Sequence, residues 1–168
     1  LATLRQHILA NPETLSDMGS AADERFGEAE NLLLSGRFSG AVYLMGLSSE
    51  MSLKLSCFRC KGLPGSAPVD GLLGPVRRWM RTYYPFVEYE SYHSLKFWME
   101  YLIALRAMST DPLPAAVVGQ ARHHVIHRLY EDWRIDLRYR GACISERQAH
   151  RVYQDATWVR ERATADWR

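Results

Sequence analysis

The sequence predicts an all-α protein, an antiparallel, up-and-down bundle of about five main helices. Apolar residues recur at helical spacing over long stretches, capping residues stand where several of those stretches begin, and no segment alternates with the period of a strand. The chain has 168 residues, 47% of them hydrophobic, which suits one domain with a substantial core. Residues 1–168 are therefore read as a single domain with its core at about 20–164.

Asn11-Pro12 separates a short N-terminal turn of helix from the rest. Ser20, three residues before Asp23, stands as the cap of a helix expected from about Ala21 to Ser35. Its apolar stripe is Ala22, Phe26, Ala29 and Leu33, widened by Leu32, while Asp23, Glu24 and Glu28 occupy the first turns, where the helix dipole favours acids. Gly36 ends it. The second helix, about Phe38 to Lys61, is expected to bury Val42 or Tyr43, Leu44, Leu47, Met51, Leu55 and Phe58. Gly40, Ala41, Gly46, Ser48, Ser49, Ser52 and Ser56 let a neighbouring helix approach it closely, and that neighbour is expected within the same chain. The short turn at Gly36 makes these two helices an antiparallel hairpin.

Residues 62–75, with four Gly and three Pro, read as a surface loop, a crossover or ordered segment within the domain. Val76 to Tyr84 predicts a shorter basic helix. Ser91 to Met108 follows as a longer one, with Leu95, Trp98, Met99, Leu102, Ile103 and Leu105 in helical register. Asp111-Pro112-Leu113-Pro114 stops that run, and Ala115 to Tyr130 resumes with Val117, Val118, Ala121, Val125 and Leu129 inward. A connection through Trp133 to Ile144 leads to Ser145 and Gln148, a capping box. The last helix, Glu146 to about Thr164, is expected to bury Ala149, Val152, Tyr153, Ala156, Val159 and Ala163.

Composition narrows the function classes. No apolar run is long enough to cross a bilayer: the stretch Val42 to Leu55 is broken by Gly46, Ser48, Ser49, Glu50, Ser52 and Lys54. The segment Leu1 to Arg5 lacks the basic start and apolar stretch of a secretory signal, so a cytoplasmic location without membrane contact is expected. Three cysteines in a chain with this much core are expected as thiols. Residues 1–50 carry three basic against seven acidic side chains, and residues 51–168 carry 18 against 12, so the later part is basic. That division permits contact with a polyanion or head-to-tail pairing of chains. There is no Gly-rich phosphate loop, no nucleophile elbow and no metalloprotease His-Glu pattern, which disfavours a conventional hydrolase or kinase.

Three constellations remain. Cys57 and Cys60 have the spacing of half a zinc site, with Cys143, His123 and His127 as the only further ligands to consider; no metal and no cofactor are expected. The run Arg122 to Arg128 holds three histidines and is either a solvated helix face or an acid/base or phosphate-contacting site built from Arg122 and His127. Residues five apart lie roughly 140° apart on an ideal α-helix, so joint action requires long side chains reaching round, an irregular helix or a second subunit. Arg138, Tyr139 and Arg140, before the last helix, read as a phosphate- or RNA-binding group or as a loop paired with Glu131, Asp132 and Asp136.

The order of these pieces resembles the HEPN (higher eukaryotes and prokaryotes nucleotide-binding) superfamily. Residues 29–54 are similar to its first helical hairpin, in which a helix ends at a Gly plus aromatic turn and the next carries an acid followed by Leu-Lys, here Glu50, Leu53 and Lys54. His93-Ser94-Leu95 is similar to the family's His-x-Leu, and Leu137-Arg138-Tyr139-Arg140 leads to a capped last helix as it does there. The resemblance spans roughly residues 20–162. It implies a homodimeric helical module associated with a nucleotide or RNA, in a superfamily that includes RNA-cleaving toxins paired with small nucleotidyltransferases as well as members without demonstrated activity. In the active ribonucleases an Arg is followed after four to six residues by a His, a spacing that Arg122 and His127 match. The position most similar to the arginine of the toxin-pair members is Arg138, and residues 141–145 after it contain no His. A metal-independent ribonuclease and a purely structural protein-binding adaptor stand as the alternatives.

Overall fold

Thr14 opens the first helix through a reciprocal pair of bonds: its backbone N–H donates to Asp17 Oδ2 at 2.9 Å, and the Asp17 N–H donates to Thr14 Oγ1 at 3.2 Å. Helix α1 (Leu15–Leu34) therefore begins six residues before the expected start, and Ser20, expected as the cap, sits exposed inside it. Leu15 and Met18 extend the predicted stripe of Ala22, Phe26, Ala29 and Leu33 into the core. These positions belong to a computed structural model that describes residues 13–85, 93–139, 143–165 and 167; the expected helical turn before Pro12 lies outside them.

Gly36 takes φ +71, the left-handed conformation that closes a helix, and turns the chain into α2 (Phe38–Cys60). This helix has α1, α6 and α4 around it and is buried on nearly every side. The expectation that one stripe would be buried is corrected accordingly: Leu44, Leu47 and Met51 are half-buried, while Met45, Gly46, Ser48, Ser49, Ser52 and Ser56 are buried. Small side chains are what allow three neighbours to approach one helix. Ser48 Oγ donates to Ala22 O at 2.8 Å, and Ser49 and Ser56 donate to the carbonyls of Met45 and Ser52 one turn back, so these three buried hydroxyls are satisfied. The intramolecular contact expected for this helix is thus present.

The Gly/Pro-rich loop is docked onto the start of α1. The N–H groups of Leu15 and Ser16, which have no partner within their own helix, donate to Ala67 O at 3.0 Å and Gly65 O at 2.8 Å. Helix α3 (Leu73–Tyr83) begins three residues earlier than expected, with Pro75 in its first turn, where a missing N–H costs nothing. It lays Val76 and Met80 into the core. The basic helix expected there raises the count among the described residues to six.

Ser94 caps α4 (Leu95–Ala107) by accepting from the Phe97 N–H at 3.2 Å; residues 91 and 92 of the longer expected helix lie outside the described residues. The next helix is not uniform. It runs as α5 (Ala115–Ala121), widens into a π-helical segment (Arg122–Leu129), and finishes as one α turn (Tyr130–Asp132). A 3-10 turn (Ile135–Tyr139) and the predicted Ser145–Gln148 capping box lead to α6 (Glu146–Ala165). Five of its six predicted core residues are buried; Tyr153 is half-buried and Asp155 is buried in addition. Trp98, Trp133 and Trp167 are enclosed almost completely. No strand occurs among the described residues, and none of their helices is long and apolar enough to cross a membrane.

Candidate functional site

Glu50 and Lys54 stand one turn apart on α2, where regular helical spacing brings i and i+4 side chains together. Both are buried, and they form an ion pair whose ammonium also lies 5.4 Å from the centre of the Trp98 ring. His93 comes to the same carboxylate from 43 residues away, with Nδ1 at 3.1 Å from Oε1 and 3.0 Å from Oε2. A ring nitrogen facing two carboxylate oxygens must carry the proton, so Nδ1–H donates and Nε2 faces away from Glu50. The fold thus joins three of the four resemblance residues into a chain from core to surface. Leu53, the fourth, is a fully buried packing residue.

His93 also borders a cleft of about 280 Å³, together with Ser94, Tyr130, Trp133, Arg134 and Asp136. The buried Ser94, Tyr130 and Trp133 form its floor; His93, Arg134 and Asp136 are exposed at its rim. The floor exists because α2 has no side chain at Gly46: a Cβ there would lie 2.1 Å from Trp133 Cδ1. The indole N–H of Trp133 donates to Tyr43 O at 3.1 Å and so is anchored on α2. The Arg134 guanidinium lies 4.1 Å from the centre of the Tyr130 ring.

Arg122 and His127 are both exposed on the π segment. Its bonds run from residue i to i+5, as from Val125 O to the Tyr130 N–H, and the wider turn brings residues five apart toward one side. The irregular helix named above as a requirement for joint action is therefore present. Arg122 is gripped bidentately by Glu100 of α4, Nε to Oε1 and Nη2 to Oε2 at 3.0 Å each, which leaves Nη1 outside that pair.

A second polar group lies on the inner side of the same segment. Asp155 of α6 is wholly buried, with Oδ1 2.7 Å from His124 Nδ1 and Oδ2 3.0 Å from Arg128 Nε. Burial raises its pKa above the ordinary aspartate value, against the pull of the hydrogen bond from His124 and the charge of Arg128. The His124 ring stacks on Trp158, 4.7 Å between centres and 18° between planes.

Sequence reasoning missed Glu100 and Asp155. The position of Asp155 was a usable signal, because 152, 155, 156 and 159 form one helical stripe and an acid on it must find buried partners. Glu100 carries no such mark.

Arg138 and Tyr139 fall in the 3-10 turn, and Arg140 lies outside the described residues. Cys57 is buried with Sγ 3.6 Å from Trp98 O, and Cys60 Sγ is 3.5 Å from Trp167 O, so each thiol faces a different carbonyl. Burial pushes both thiols up, Cys57 well above its usual range, which opposes the thiolate a metal requires. Among the described residues no group of three His, Cys, Asp or Glu has metal-holding geometry.

No family model matches this chain, and no curated protein or solved structure matches it either.

Proposed function

We propose that this chain is a HEPN-like helical module, homodimeric and cytoplasmic, that serves as an interaction module or associates with a nucleotide or RNA; a small nucleotidyltransferase partner belongs to the toxin reading below. The observation that supports this reading best is the π turn, which brings Arg122 and His127 toward one exposed side of a single helix. Glu100 presents the guanidinium without consuming all of its donors. A phosphate would meet the guanidinium through Nη1, which lies outside the bidentate pair with Glu100. The same geometry favours a second reading, a metal-independent ribonuclease of the toxin type. In it Arg122 holds the phosphate and His127 serves as general acid or base. In either reading the sequence offers Arg138, Tyr139 and Arg140 as further phosphate contacts.

The test is the binding of a labelled single-stranded RNA across a salt series, with cleavage followed in the same samples. Wild-type binding is expected to weaken as salt rises, and Arg122→Ala is expected to weaken it further and to lower the salt slope by about one. Cleavage lost in Arg122→Ala and His127→Ala selects the ribonuclease. Absence of salt-dependent binding of both RNA and a mononucleotide titrated in the same series removes both readings and leaves a protein-binding adaptor. Sedimentation of the full chain tests the homodimer.

A further inference from the structure

We propose that the pocket where α1, α2 and α6 meet binds a phosphate group through Ser52, Arg59 and Arg160. The pocket measures about 350 Å³, and the small Gly19 and Ala22 of α1 keep it open over α2. Ser52 is the residue that points to a ligand. It is 8% exposed, it lines this pocket, and its hydroxyl has no hydrogen-bond partner among the described residues. The other buried serines each have one: Ser48, Ser49 and Ser56 donate to carbonyls, and Ser94 accepts from the Phe97 N–H. A hydroxyl enclosed to this degree without a protein partner is a cost to the fold. A ligand oxygen in the pocket is the partner that removes it.

Two guanidiniums stand at the same pocket. Ser52 and Arg59 lie seven residues apart on α2, two helical turns, and so share a face. The Arg59 side chain is exposed and makes no ion pair among the described residues. Arg160 of α6 is already positioned: its Nε donates to Asp23 Oδ1 at 3.0 Å, and the guanidinium lies 4.9 Å from the centre of the Phe26 ring. That bond uses Nε and leaves Nη1 and Nη2 outside it. Asp23, an acid lining the pocket, is thereby matched in charge by Arg160. The exposed hydroxyls of Ser16 and Ser20 add donors from α1, so the pocket is approached from three helices. A tetrahedral phosphate offers an oxygen to each helix, whereas a planar carboxylate has only two to share. The volume lies near the lower end for small-molecule sites and suits free phosphate or a small phosphomonoester. None of these residues belongs to the Arg122–His127 strip, so the pocket stands or falls separately from the reading above.

Calorimetric titration of the full chain with glycerol 3-phosphate, inorganic phosphate and acetate, at constant ionic strength, tests the proposal. Both phosphates are expected to bind and acetate is not. Tighter binding of the ester assigns a phosphomonoester as the ligand, and equal affinity assigns free phosphate. Arg59→Ala is expected to weaken binding about tenfold or more, and Ser52→Ala about fivefold. Ser52→Ala is also expected to melt no lower than wild type, because it removes a buried hydroxyl without a protein partner. A lower melting temperature with unchanged phosphate affinity makes Ser52 a structural residue and overturns the assignment. So does wild-type affinity in both variants, acetate binding as tight as that of phosphate, or no phosphate binding at all. Phosphate binding that is lost in the Arg122→Ala, His127→Ala pair and kept in both pocket variants overturns the pocket and leaves the RNA reading intact.

Discussion

Glu50 on α2 and Asp155 on α6 are both buried carboxylates, and each is joined to one histidine and one cation, yet the two groups do different work. Around Asp155 the cluster is closed: His124 has 24% of its side chain exposed and stacks on Trp158, and Arg128 has 26% exposed. Around Glu50 the cation, Lys54, is the inner member, and the histidine faces outward with 47% of its side chain exposed at the rim of a cleft. The same inventory of charges pins a π segment to α6 in one place and presents an oriented imidazole to solvent in the other. What separates them is the surroundings of the ring, an indole against His124 and a cleft beside His93.

The comparison can be broken by substitution. The largest effect is expected from Gly46→Ala, which drives a Cβ into the buried Trp133 ring and removes the floor of the cleft. Destabilisation of about 3 kcal/mol or more, read by denaturant unfolding, is expected.

Asp155→Ala leaves His124 and Arg128 without their carboxylate and is expected to cost about 3 kcal/mol. Asp155→Asn sharpens the point through pH. Because the folded state raises the Asp155 pKa, the native protein binds that proton more tightly than the unfolded chain does. This contribution is therefore fully present below the unfolded aspartate value and is lost as pH rises through the raised folded value. Unfolding free energies measured across that window are expected to fall with pH more steeply in wild type than in Asp155→Asn.

The smallest effect is expected from His93→Gln. With the ring half exposed and Lys54 still paired to Glu50, the loss of stability should stay near about 1 kcal/mol. A large loss of stability in this variant would place His93 with His124 as a structural group.

Much of the architecture was legible in local signals. The Ser145–Gln148 box, the Gly36 stop and the buried stripe of α6 needed only helical period and capping chemistry to be found. The start of α1 was misplaced because two capping patterns compete in the sequence, Thr14 with Asp17 and Ser20 with Asp23. Only the first has both of its reciprocal bonds. The burial pattern of α2 could not be read at all from periodicity, since a helix enclosed on most sides has no dry stripe to display.

The candidate sites divide in the same way. Glu50 and Lys54 are neighbours by helical spacing, and Arg122 and His127 stand out by composition. The sequence by itself therefore determined the all-α class, the order of the helices and which side chains could carry charge chemistry, because those depend on interactions within a few residues along the chain. The approach of His93 to Glu50, the clasp of Glu100 on Arg122, the burial of Asp155 under His124 and the Trp133 floor over Gly46 were decided only by tertiary structure. Each joins residues 22 to 87 positions apart, and the π segment that carries Arg122 and His127 lies against α4 and α6. Contacts between such distant residues leave no local period to read.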